Sequence, residues 1–316
     1  NLFKEFKNYK NYFQNPNDPI WVEVVNKIND FKPDWVGYTS YTANLLAIDI
    51  ISKKLKSIRP KAKQVIGGVH ATLDHNVLDH LPAIDYSVQR EGEEAMLSLL
   101  NGNDPKSISG VASRSSIGIL NNGDADAIDL IDDLPFPERE KLYGLNEQEK
   151  QMVDVSYICS IRGCPYRCNY CASPFHWKRD KTRYRSPESV IDEMRLLKNS
   201  YWDRYKEFDY SASANIGKKS GLIIEDNTIV YFVDDVFTVK KERVKRILRM
   251  MINESLGMNW KCEARTDHLD DEICNLMAEA GCVRVKLGFE SGSDDILKKI
   301  QKDETKEDMR RGAIML

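Results

Sequence analysis

Three thiols confine what this chain can become. Cys164, Cys168 and Cys171 stand on one short stretch, Cys164-Pro165-Tyr166-Arg167-Cys168-Asn169-Tyr170-Cys171, with three and then two residues between them. Thiols this close cannot all be tied to one another in disulfides, but they can wrap three corners of an iron–sulfur cube. A 4Fe-4S cluster normally takes four thiolates, so three protein ligands leave one iron open to a small molecule. A zinc site more usually shows two separated Cys-x-x-Cys pairs or a Cys/His mixture, for which His176 is the nearby candidate fourth ligand.

The remaining cysteines fit a reducing, cytoplasmic setting better than a disulfide-built secreted protein. None precedes Cys159, and Cys262, Cys274 and Cys282 come late. Cys159, five residues before the first ligand, reads as a buried structural thiol inside a strand. At 316 residues with 41% hydrophobic content, two domains with real cores are expected. A net charge of -3 gives no footing for a nucleic-acid partner. The one basic run, Lys178 to Arg185, reads as a solvated or anion-contacting loop. No run of about 18 apolar residues suggests a membrane span. The chain starts at Asn1 and stops at Leu316 in mid-pattern, so both ends look cut.

Ahead of the thiols, helices and strands alternate: helix over Ile20 to Phe31, strand Trp35 to Ser40, helix Ala47 to Ile58, strand Gln64 to Gly68, helix Leu73 to Leu81, strand Ile84 to Gln89, helix Glu93 to Leu100. Alternation of this kind predicts a Rossmann-like, doubly wound parallel sheet over residues 1–105. Ligands meet such sheets at the carboxyl ends of their strands. There the sequence places Ser40 and Thr42, then Gly67, Gly68, His70 and Thr72, then Arg90, Glu91, Gly92 and Glu93; plain turn chemistry would account for the same residues. A polar, turn-rich stretch over 106–151 reads as a hairpin-bearing linker, and Ile131 to Pro137 as an extended crossing segment held by its prolines.

Residues 152–316 alternate again, as a partial (β/α) barrel. The strands are Asp154 to Cys159, Thr228 to Val233, Met258 to Ala264 and Cys282 to Leu287, and Ser211 to Asn227 reads as a surface excursion. A helix starts at Ser186-Pro187, another covers Leu269 to Ala280 and closes at Gly281, and Asp294 to Ile300 and Lys306 to Leu316 are helical. Asp234 and Asp235 end a buried strand, which is costly unless they hold a cation or an ammonium group; a helix cap is the alternative for Asp235. Arg265 and Glu290 either face the barrel mouth or pair as a structural salt bridge.

The thiol loop, with aromatic Tyr170 just before the third cysteine, resembles that of the radical S-adenosylmethionine (SAM) superfamily. Its approach, Ser160-Ile161-Arg162-Gly163, resembles the subgroup that carries an N-terminal cobalamin-binding domain. The resemblance implies that Cys164, Cys168 and Cys171 ligate a 4Fe-4S cluster, and that SAM binds its open iron and is cleaved to a 5′-deoxyadenosyl radical. It places Tyr170, Asp234, Asp235, Arg265, Glu290 and Ser291 around SAM, and Ser40, Thr42, Gly67, Gly68, Glu91 and Gly92 around cobalamin. No Asp-x-His-x-x-Gly loop, which would give cobalt a histidine, occurs in the chain. The implied activity is methylation of an unactivated carbon on a small-molecule substrate, fed by an electron donor such as flavodoxin or ferredoxin. A cyclase or rearrangement enzyme of the same subgroup, or a cofactor-bearing sensor without turnover, stays open. A methylthiotransferase does not fit, since it needs three further cysteines near the N-terminus. At least two barrel strands are expected beyond Leu316.

Overall fold

The computed structural model describes residues 12, 15–139, 157–177, 182–199 and 230–316. The Ser211 to Asn227 excursion, residues 154–156 and 228–229 of the expected strands, and residues 178–181 of the basic run lie outside the described residues. Two compact units divide after Ile128, with Phe175–Trp177 grouped in the first. No helix among the described residues is long and apolar enough to cross a membrane.

In the first unit, β1 (Trp35–Thr39), β2 (Lys63–Gly67) and β3 (Tyr86–Val88) run parallel, with Gly37 opposite Val65 and Val65 opposite Tyr86. Helix α1 (Pro19–Asp30) begins where the Asp18 carboxylate accepts the Ile20 N–H at 3.0 Å, and it buries Trp21 and Val25. Helix α2 (Leu45–Ile58) buries Ile48 and Leu55, seven residues apart on one face, and Ile50, which packs with Trp21. The helix expected over Leu73 to Leu81 forms as two short pieces, α3 (Val69–Leu73) and α4 (Val77–His80). Asp74 explains the break: its backbone is extended and its side chain accepts the Asn76 N–H at 3.0 Å, a local bond that competes with the helix ladder. Helix α5 (Glu93–Leu100) follows β3.

The expected hairpin forms as β4 (Val111–Ser115) and β5 (Gly118–Asn121), but not in a free linker. It completes the first sheet in the order β1-β2-β3-β4-β5, pairing antiparallel with β3 at Ser87 and Ala112. Three-residue β3 would otherwise leave its backbone groups unpaired at an edge, which is the physical reason that the boundary falls later than residue 105.

In the second unit, four parallel strands stand in the order β11-β10-β9-β6: β6 (Tyr157–Ile158), β9 (Val230–Phe232), β10 (Trp260–Ala264) and β11 (Cys282–Leu287). A small antiparallel pair, β7 (Ile161–Arg162) and β8 (Arg183–Tyr184), flanks them. Helix α6 (Ser173–His176) straddles the division between the units, and the described α-helices of the second are α7 (Pro187–Leu197), α8 (Lys241–Asn253), α9 (Asp271–Glu279), α10 (Asp294–Lys299) and α11 (Lys306–Met315). Ser186 caps α7 as expected, accepting the Ser189 N–H at 3.1 Å with Pro187 at the first position. The connector is not wholly extended: Ile131–Asp133 is a 3-10 turn that lets the Asp132 carboxylate accept the Ser186 N–H at 2.9 Å. Glu193, 1% exposed on α7, sits between Arg139 (2.5 Å) and Arg185.

Phe232, Phe237 and Trp260 centre the second core, with ring centroids 4.7 to 5.5 Å apart, and the Trp260 indole donates to Ala280 O at 2.9 Å. Gly281 closes α9 at φ 91, and a Cβ there would lie 2.6 Å from Met258 O. The turn that feeds β11 therefore admits only glycine. Gly281→Ala is expected to cost about 2 kcal/mol or more, through left-handed strain and the backbone clash together. Thermal unfolding of the variant measures it, and an unchanged midpoint would refute this account of the turn.

Candidate active site at the carboxyl edge of the second sheet

The cluster loop leaves the sheet two residues after β6, and a carboxylate from the next strand fixes its exit. Asp234, 1% exposed, follows β9; its oxygens accept the Ser160 N–H at 2.6 Å, the Ser160 hydroxyl at 2.5 Å and the Ile161 N–H at 2.9 Å. Arg243 on α8 backs the same turn, donating to Ser160 O at 3.0 Å and Arg185 O at 2.8 Å. Asp234 is thus spent on the loop's backbone, and of the two adjacent carboxylates only Asp235 turns toward the thiols. Half-buried Asp235 accepts the Ser173 hydroxyl at 2.6 Å, and its charge bears on Cys164 and Cys171. The sequence pairs these two aspartates, and the fold gives them different work.

Beyond the exit, the loop is held on two sides. Asn169 donates its N–H to Ile300 O and its side chain to Lys299 O, each at 3.0 Å, docking the loop on the end of α10. Tyr166 lies under the Arg265 guanidinium, 3.7 Å from ring centroid to carbon, and its hydroxyl is hydrogen-bonded to His268 Nε2. His268 Nδ1 meets the Thr238 hydroxyl at 3.1 Å. Sequence reasoning passed over Tyr166, His268 and Thr238, which lie on three separate segments and share no spacing signal.

The three thiols are free, and Cys168 is 9% exposed. Burial first, then the charges of Asp235 and the neighbouring thiols, pushes Cys164 up to about 11; burial likewise raises Cys171. Thiols that oppose one another's ionisation next to a carboxylate call for positive charge among them, and metal-bound thiolates supply that need. Among the described residues, no three His, Cys, Asp or Glu side chains converge closely enough for a single metal ion. Three thiols on one short loop are donors of the kind an iron–sulfur cluster takes, and three of them leave one iron open.

Arg265 takes the structural alternative, with other partners than expected. It is 4% exposed, forks onto Asp267 at 2.9 and 3.0 Å, and donates to Lys302 O at 2.8 Å and Asp303 O at 3.1 Å. Glu304 stands 3.5 Å away and accepts the Thr266 N–H at 2.8 Å. Glu290, after β11, adopts φ 56 and lies 3.9 Å from the buried Lys302 ammonium instead of meeting Arg265. Tyr170 is half-exposed beside it; burial, then the charges of Cys168 and Glu290, hold its phenol above the usual range. Ser291 Oγ accepts the Ser293 N–H at 3.1 Å. Lys302 and Glu304 are buried charges at this edge that the sequence analysis did not single out.

In the first unit, Ser40 is wholly buried, donating to Gly67 O at 2.7 Å and accepting the Ala71 N–H at 3.1 Å. Exposed Thr42 meets His70 Nδ1 at 2.9 Å. Gly68 turns β2 into α3 at φ 95, where a Cβ would lie 2.9 Å from Ser40 N. Buried Glu91 accepts the Ile128 N–H at 3.3 Å, and Gly92 precedes α5.

A four-strand parallel sheet with a tri-thiol loop at its carboxyl edge, preceded by a mostly parallel Rossmann-like sheet, defines a two-domain cofactor enzyme architecture. The radical SAM superfamily profile matches residues 158–316 and the B12 binding domain profile residues 9–100; the chain belongs to the radical SAM superfamily. The radical SAM domain, residues 158–316, implies a 4Fe-4S cluster and SAM, and the N-terminal B12 binding domain implies cobalamin. An uncharacterized methyltransferase of Pyrococcus horikoshii is 27% identical over 90% of this chain and 58% of its own length. An anaerobic magnesium-protoporphyrin IX monomethyl ester cyclase of Rubrivivax gelatinosus is 26% identical over 95% and 51%. The chain thus spans about half the length of the curated relatives it matches. Among solved structures, the radical SAM methyltransferase TsrM of Kitasatospora setae, with tryptophan and a SAM analogue bound, superposes with a TM-score of 0.68 over 95% of this chain and 57% of that one, at 18% identity. The family resemblance read from the thiol loop is borne out.

Burial raises the Asp234 carboxyl from 3.8 to about 6, against the lowering by its Ser160 and Ile161 donors and by Arg243. The fold therefore favours protonated Asp234, and that favour is complete below 3.8 and lost as the pH rises through about 6. Asp234→Asn, whose amide can turn its nitrogen to the Ser160 hydroxyl, is expected to flatten this segment of the stability profile of the apoprotein. Asp234→Ala strands three buried donors and is expected to cost about 2–4 kcal/mol. Thermal melting from pH 4 to 7 reads both; an alanine variant as stable as the parent would remove Asp234 from this role.

Proposed function

We infer that this protein is a cobalamin-dependent radical SAM enzyme that methylates an unactivated carbon of a small molecule. The observation that carries the reading is the presence on one chain of a B12 binding domain and of the tri-thiol loop at the carboxyl edge of a radical SAM domain. When bound, these cofactors supply one-electron cleavage of the SAM sulfonium and a transferable methyl group.

The chain's own residues supply position. Cys164, Cys168 and Cys171 hold the cluster on a loop anchored by Asp234, Arg243 and Asn169. Asp235 offers the SAM ammonium a carboxylate, and Tyr170, Glu290 and Ser291 stand along the same edge. Asp234 and Arg265 act behind them, the first through Ser160 and the second through Tyr166. Ser40, Gly67 and Gly68 shape the turn that admits cobalamin, with Thr42, Glu91 and Gly92 beside it. An electron donor such as flavodoxin or ferredoxin completes the cycle. A second reading, cyclisation or rearrangement, is supported by the similarity to the Rubrivivax gelatinosus cyclase, at 26% identity against 27% for the methyltransferase.

The full-length protein, reconstituted anaerobically with iron, sulfide and hydroxocobalamin, is expected to form both 5′-deoxyadenosine and S-adenosylhomocysteine from SAM and reductant in the presence of substrate. Cys168→Ala is expected to form neither. Deoxyadenosine alone would replace methyl transfer with the cyclase reading, and turnover retained by Cys168→Ala would overturn the cluster assignment.

A further inference from the structure

Two polar side chains, one on β3 and one just past its end, are wholly buried and have no hydrogen-bond partner among the described residues. Ser87 and Gln89 are both 0% exposed, and among the described residues the Ser87 hydroxyl and both amide atoms of Gln89 lack a hydrogen-bond partner. Residues two apart on a strand share a face. That face is apolar, since Ser87 pairs with Ile66 on β2 and Ala112 on β4, which pack in one cluster with Ile48, Ala71 and Leu78.

The same face shows what a structural glutamine looks like in this sheet. Gln64 on β2 is equally buried, yet it donates to Ser52 O at 3.0 Å and Ala83 O at 3.2 Å and accepts the Tyr38 hydroxyl at 2.6 Å. Each buried polar group left empty costs about 1–3 kcal/mol. Gln89 bears that cost where Gln64 avoids it.

Their positions along the strands differ. Gln64 stands near the start of β2, whereas Gln89 stands just past the end of β3, at the edge where open sheets take ligands. Its neighbour Arg90 turns away at φ 63 and donates its N–H to Thr72 Oγ1 at 2.8 Å, and the Thr72 hydroxyl in turn donates to Gly68 O at 3.1 Å. The empty amide is thereby tied to the Gly67-Gly68 turn expected to admit cobalamin.

We propose that Gln89, with Ser87 behind it, is a cobalamin-contacting residue whose amide is kept empty for a hydroxyl- or amide-bearing part of the corrinoid. The proposal rests on the reading of the first unit as a cobalamin domain. An amide with donors and acceptor both vacant matches a ligand group that offers both, as a ribose hydroxyl or a corrin carboxamide does. The strand carries a polar residue that weakens the ligand-free fold and is satisfied on binding.

A purely structural glutamine, held by a trapped water, would respond to substitution in the opposite sense, which makes the test decisive. In the full-length protein, Gln89→Met, close in volume and without polar atoms on the side chain, is expected to raise or leave unchanged the melting temperature of the cobalamin-free form. It is expected to weaken hydroxocobalamin binding, followed by absorbance titration, by about three- to tenfold for each hydrogen bond lost. Gln89→Leu is expected to move both readouts in the same directions, and Gln64→Met only to lower the melting temperature. Equal affinity in the parent and Gln89→Met, or a lower melting temperature with affinity unchanged, overturns the assignment of Gln89. Failure of the parent itself to bind hydroxocobalamin overturns the reading of the whole domain and this proposal with it.

Discussion

One buried carboxylate joins two stretches of chain 74 residues apart. Asp234 gathers the Ser160 N–H, the Ser160 hydroxyl and the Ile161 N–H on its two oxygens, at the point where the sheet ends and the thiol loop begins. These three bonds tie the loop's exit to the place where β9 delivers that side chain. β9 is in turn placed by Phe232 and its ring contacts with Phe237 and Trp260. The spacing of the cysteines is written in the sequence, but their place on the sheet depends on this carboxylate. An anionic group is a costly choice for such a site, and burial accordingly raises its pKa from 3.8 to about 6. Its return is an acceptor with room for three donors, arranged by one short side chain.

Around that anchor the site divides into an outer and an inner tier. Asp235, Tyr170, Glu290 and Ser291 stand at the edge with partly exposed side chains, whereas Asp234, Arg265, Lys302 and Glu304 are buried behind it. Arg265 connects the tiers by lying against Tyr166 within the loop while it gathers the Lys302 and Asp303 carbonyls from the turn after α10. A planar guanidinium suits this task, since it can fork onto Asp267 and stack on an aromatic face at once. The tight cluster of charges is more rigid than a solvated patch of the same composition, which suits a site that must hold a reactive cofactor still.

The order of strands and helices could be read from periodicity, because each apolar run is long enough to declare its period. Trp21 and Val25 on α1, the Ser186-Pro187 start of α7 and the Gly281 close of α9 all appear where their residue chemistry puts them. Short-range competition was harder to read. The break between α3 and α4 comes from Asp74 bonding to Asn76, which an averaged helical period conceals. The three thiols declared the site, and adjacent carboxylates declared its neighbourhood. The separate duties of Asp234 and Asp235, and the pairing of Arg265 with Asp267 rather than Glu290, depend on side-chain direction at strand ends, which spacing does not encode. Tyr166, His268 and Lys302 had no signal at all, since each is ordinary in its local sequence and becomes informative only when three segments meet.

The β4–β5 hairpin has a consequence for anyone dividing this chain in the laboratory. Cutting at residue 105, where composition first turns polar, would strip β3 of its antiparallel partner and bare a row of donors and acceptors next to buried Val88. Such a border invites strands from other molecules, and the fragment would be prone to gather into insoluble material however well its parallel strands are formed. A cut after Ile128 keeps the hairpin with the sheet that it seals, so the useful frontier between the two functions lies inside what looks like a tether.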